Sequence, residues 1–79
     1  MKRPNDYKFC VRTFRGYDCV NDLEIAESVA HSMVLAIISD SWSNEYWWAE
    51  IRQMSTGLSM IVVCRAFGTW LKTPFLRLT

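Results

Sequence analysis

The chain has 79 residues, 51% of them hydrophobic, and a formal net charge of +1, which suits one domain (1–79) with one core and excludes a disordered chain. No stretch reaches the ~20 uncharged apolar residues of a bilayer span, and the basic start, Met1 to Asp6, leads into no apolar segment, so a cytoplasmic protein with no membrane partner is expected. Three cysteines, Cys10, Cys19 and Cys64, are an odd number without framework spacing and fit reduced thiols.

Residues 6–15 read as a strand. Tyr7, Phe9, Val11 and Thr13 alternate with Lys8, Cys10, Arg12 and Phe14, the period-2 pattern of a sheet with one buried face. Gly16 and Asp18 then break it. A helix is expected over about 21–39, with Asn21 as N-cap, Glu24 completing a capping box, and Val20 and Ile25 placed for a hydrophobic staple. Leu23, Ala26, Val29, Ala30, Met33, Val34, Ile37 and Ile38 form one apolar stripe at helical spacing, with Glu24, Glu27, Ser28 and His31 opposite.

After a loop at Asp40–Asn44, a hairpin is expected from Tyr46–Met54 and Ser59–Phe67, turning at Thr56–Gly57 with Ser55 opposite Leu58. Trp47, Ala49 and Ile51 then fall opposite Ala66, Cys64 and Val62. A helix over 46–54 is the rival. Trp70–Leu78 suits a short edge strand, where Pro74 is tolerable. The fold class is therefore α+β: a small two-layer β-α-β-β(-β) domain, its one amphipathic helix packed on a three- to four-stranded, mainly antiparallel sheet.

Charge is sorted by segment. Residues 1–17 hold Lys2, Arg3, Lys8, Arg12 and Arg15 against Asp6 alone; residues 18–50 hold only acids; residues 51–79 hold only Arg52, Arg65, Lys72 and Arg77. No catalytic set emerges from these residues. The cysteines and His31 lack the two-to-four spacing of zinc ligand pairs. His31 falls on the polar helix face, suited to a pair with Glu27 rather than to activating a thiol. Glu24 and Glu27 are acids where a helix start favours them, and the isolated glycines make no phosphate loop. Neither an enzyme, a metal nor a cofactor is expected.

One helix covers one sheet face. Strand parity gathers Lys8, Cys10, Arg12, Phe14, Trp48, Arg52, Ile61, Val63, Arg65 and Phe67 on the other, where Arg interleaved with aromatics has the composition of a binding surface. Alternatively Trp70, Leu71, Phe75, Leu76 and Leu78 fold over that face and make it core. Arg12, Phe14, Trp48, Arg52 and Arg65, with Trp42 and Tyr46 beside the acidic loop, are the candidate partner-binding residues. They imply a non-catalytic protein-binding module, an inhibitor or adaptor acting on a host protein or complex, alone or as a homodimer. The alternative is a nucleic-acid-binding domain in which bases stack on the aromatics and Arg meets phosphate. In size and in lack of motif the chain is similar to the small proteins that phages and mobile elements direct at host machinery, anti-CRISPR proteins among them; that likeness rests on no residue.

Overall fold

The computed structural model describes residues 3–39, 47–65 and 69–78. A single 3-10 turn, Pro4–Asp6, precedes strand β1 (Phe9–Arg12), which turns back into β2 (Tyr17–Val20). Helix α1 (Leu23–Ser39) follows, then β3 (Trp47–Gln53), β4 (Ser59–Arg65) and β5 (Thr69–Lys72). The strands form one antiparallel sheet in the order β2-β1-β3-β4-β5, with α1 across one face. The expected α+β class holds, with five strands instead of three or four.

The additional strand is β2; the segment before it, expected as a single strand over 6–15, is strand only at Phe9–Arg12. Its start is the 3-10 turn, in which Asp6 Oδ2 accepts from Arg3 N at 2.9 Å. Its end is a tight reversal: Thr13 N donates to Gly16 O at 2.9 Å, and the Thr13 hydroxyl accepts from Arg15 N at 3.2 Å. The Gly16–Asp18 break is thus the entry to β2, and Asp18 lies inside a strand because its carboxylate is exposed on an edge.

The helix starts one residue later than expected. Asp22 is the cap, its Oδ1 accepting from Glu24 N at 2.9 Å and its carbonyl from Ala26 N at 2.9 Å. Asn21 instead accepts from Lys8 N at 3.0 Å and ties the end of β2 to the approach to β1. The shifted cap puts Glu24 at the second helical position, and Ile25 is 52% exposed instead of stapling Val20. The apolar stripe is as expected: Ala26, Ala30, Val34 and Ile37 are buried, with Leu23, Val29, Met33 and Ile38 packed beside them.

Residues 47–53 are strand, so the rival helix over 46–54 is not formed. The hairpin register differs from expectation by two residues. Gln53 faces Leu58, its N donating to the Leu58 carbonyl at 2.8 Å, and its own carbonyl accepts from Gly57 N at 2.8 Å. This closes a longer turn in which Gly57 takes φ 76°, a left-handed value that suits glycine. Trp47, Ala49 and Ile51 pair with Cys64, Val62 and Met60. An even slip leaves each side chain on its expected face.

The core lies between α1 and the sheet. Val11, Val34, Ile51 and Val62 are its largest fully buried apolar side chains, each contributing about 1.5–3 kcal/mol relative to exposure. Ala26 and Ala30, both 0% exposed, let the helix lie close to the strands.

Candidate binding face

The second sheet face is built by register. Across it run three rows: Tyr17, Arg12, Glu50 and Ile61; Cys19, Cys10, Arg52 and Ser59; and Trp48, Val63 and Leu71. Sulfur and charge therefore collect toward β2 and β1, and apolar groups toward β4 and β5. The Pro4–Asp6 turn reaches over this face at the corner where the Cys10 thiol donates to the Pro4 carbonyl at 3.7 Å.

The C-terminal segment does not cover it. Trp70 and Phe75 pack against the helix-side core, whereas Leu71, Leu76 and Leu78 are 51%, 47% and 47% exposed. Leu76 is joined to the sheet edge by reciprocal backbone hydrogen bonds with Ser59, 2.8 and 2.7 Å. Trp48, 38% exposed, stands at the opposite end of the apolar row from Leu71.

Glu50 organises the charged half. It is 2% exposed although it points away from the helix. Its Oε1 accepts from Arg12 Nη2 at 2.7 Å, and its Oε2 accepts from the Ser59 hydroxyl at 2.5 Å and from Arg52 Nε at 3.3 Å. Burial pushes the carboxyl pKa up, but the Ser59 hydrogen bond and the Arg12 and Arg52 charges outweigh it and hold it below the usual glutamate value. The carboxylate is therefore ionised at neutral pH, and both arginines are fixed at their guanidinium ends while remaining more than half exposed.

Cys10, Arg12, Tyr17, Glu50, Arg52 and Met54 line a shallow cavity of roughly 170 Å³. The hydrogen bond with Cys10, then partial desolvation and the hydrogen bond with Cys19, hold the Tyr17 phenol well above its ordinary pKa. Among the described residues, no three His, Cys, Asp or Glu side chains converge on a point where a metal would sit. Nor is any described helix long and apolar enough to cross a membrane.

Of the candidate residues, Arg12, Trp48 and Arg52 share this face. Phe14 does not. It lies in the β1–β2 turn, 61% exposed, and stacks on Trp47 with ring centroids 5.5 Å apart. The reversal at Thr13 ends strand alternation before Phe14, so parity no longer governs it. For Arg65 the backbone pairing with Thr69 is described; Trp42, Tyr46 and Phe67 lie outside the described residues. His31 also departs from expectation, stacking on Trp70 at 4.1 Å while Glu27 pairs with Lys72 at 2.8 Å. Edge strand β5 runs beside the helix flank and supplies both partners.

Tyr17, Cys19 and Glu50 also lie on the face and were not among the candidate binding residues. Tyr17 and Cys19 belong to a strand that Asp18 disguised as a turn. Glu50 has the parity of the face, but only the fold shows that Arg12, 38 positions away, binds it.

Comparison with known proteins adds no relative: no family model, no curated protein and no solved structure matches the chain.

Proposed function

We propose that the chain is a non-catalytic protein-binding module, a small inhibitor or adaptor of the phage or mobile-element kind, which engages a host protein through its open sheet face. The observation that carries this reading is the division of that face. An apolar row, Trp48–Val63–Leu71, exposed at both ends, lies beside two arginines whose guanidinium groups are already held by Glu50. Trp and Arg are the residues that most often dominate binding energy, and pre-positioned arginines lose less conformational freedom when a partner docks. The complementary surface is an apolar ridge with carboxylates along one side.

Nucleic acid fits the same face less well. The Glu50 carboxylate lies between Arg12 and Arg52 and offsets their attraction for phosphate, and the chain as a whole carries only +1.

A photo-crosslinking phenylalanine at position 48, compared with the same residue at exposed position 25, tests the reading in host cells. The expected result is one discrete protein adduct from position 48 and none from position 25. Excess wild-type chain should compete with it, and the Leu71→Asp chain should not. A self-adduct would make the partner a second copy. No protein adduct from position 48, equal capture from position 25, or capture of nucleic acid alone would refute it.

A further inference from the structure

We propose that Cys10 and Cys19 form a dithiol that closes to a cross-strand disulfide, with a low-molecular-weight disulfide such as glutathione disulfide as the oxidant. The proposal stands independently of the binding partner.

Register carries the argument. Thr13 and Gly16 are hydrogen-bonded opposite each other, Thr13 N to Gly16 O. Antiparallel pairs alternate between hydrogen-bonded and non-hydrogen-bonded, so Arg12/Tyr17 is non-bonded, Val11/Asp18 bonded and Cys10/Cys19 non-bonded. The other side of β1 agrees: Met54 N donates to Lys8 O, which makes Cys10/Arg52 a bonded pair and turns the Cys10 backbone toward β3. At a non-bonded pair the Cα atoms lie about 4.5 Å apart with their side chains at closest approach, inside the ~4.4–6.8 Å range a disulfide spans. The two sulfurs are 2.6 Å apart, nearer to the ~2.05 Å of an S–S bond than to ordinary non-bonded contact.

The third cysteine cannot compete. Cys64 is buried at 2% on the helix-covered face, on β4, with β3 between it and β1. Access also differs within the pair. Cys19 is half-buried on the edge strand, whereas Cys10 is 3% exposed beneath the Pro4 carbonyl. Cys19 therefore meets the oxidant and Cys10 resolves the adduct.

The Cys19 thiolate attacks one sulfur of the oxidant, forming a mixed disulfide and expelling one thiolate. The Cys10 thiolate then attacks Cys19 Sγ, the Cys10–Cys19 bond forms, and the second thiolate leaves. The two protons lost by the protein are taken up by the two departing thiolates. Two protein thiols are oxidised and one disulfide molecule is reduced. Burial, the Cys10 thiol and the Asp18 charge push the Cys19 thiol up, against a lowering Tyr17 hydrogen bond, to about 11. Reduced Cys19 thus rests as a thiol at neutral pH. Closure would fasten edge strand β2 to β1 at the charged corner of the open face and withdraw both thiols from Tyr17.

The test uses the folded full chain, fully reduced, then incubated with glutathione disulfide, quenched with iodoacetamide under denaturing conditions and mapped without reduction. The expected result is a fall in alkylatable thiols from three to Cys64 alone, with the tryptic peptide Phe9–Arg12 linked to the peptide containing Cys19. Cys10→Ser, lacking the resolving thiol, should stop as a glutathione adduct on Cys19. Three thiols still alkylatable, a lasting glutathione adduct on wild-type Cys19, or any link to Cys64 would overturn the proposal. If Cys10→Ser fails to fold, the wild-type map alone decides.

Discussion

Glu50 and Ile51 are consecutive, and both are almost wholly hidden, at 2% and 0% exposure, yet they are hidden in opposite ways. Ile51 points into the layer under α1, where Val11, Val34 and Val62 remove it from water. Glu50 points to the face opposite α1, where Ser59, Arg12 and Arg52 enclose it with hydrogen bonds. On one side burial is the source of stability. On the other it is a cost that charge pairing must offset. The helix face therefore holds the domain together, while the open face holds side chains in position.

Truncation at Ile51 should have the largest effect. Ile51→Ala leaves a cavity at the centre of the sheet and should destabilise the domain by about 3–4 kcal/mol, read as a fall in urea midpoint at constant slope. For a chain of this size that is a large share of the whole stability. A loss under about 1 kcal/mol would mean that the layer under α1 is not the close-packed one described.

Glu50→Gln probes the opposite side and should cost less, about 1–2 kcal/mol at neutral pH, because the arginines it leaves are largely solvated. The effect should depend on pH. The folded pKa lies below the usual ~4.3 of a glutamate, so the wild-type contribution is complete above that value and is lost as pH falls through the folded one. Urea curves of the two proteins should converge in acid. A gap that stays constant below pH ~4 would show that charge is not what Glu50 contributes.

The smallest change is expected at the rim of the helix face. Lys72 and Glu27 pair at 2.8 Å, but the lysine side chain is 60% exposed, so Lys72→Ala should alter stability by no more than about 0.5 kcal/mol. A larger loss in the same denaturation assay would make this pair a true clamp between β5 and the helix.

The faces of this molecule were legible in sequence because alternation and helical period are local. The stripe from Leu23 to Ile38 and the opposed parities of Trp48 and Ile51 needed no knowledge of neighbours, and they survived a two-residue error in hairpin register. Strand β2 was not legible. Asp18 beside Gly16 reads as turn chemistry, and only pairing with Val11 makes it strand. Phe14 was misplaced for the related reason that the chain reverses one residue before it.

The amino-acid order by itself determined one amphipathic helix, a two-faced sheet and the side on which Arg12, Trp48 and Arg52 would lie, since each follows from the period of the backbone. Tertiary structure alone decided which residues meet on that side. Cys10 beside Cys19, and Glu50 among Arg12, Arg52 and Ser59, are products of strand order and register. Those are set by the competition of whole strands for partners and by burial under α1, energies that belong to the folded domain and to no local segment of it.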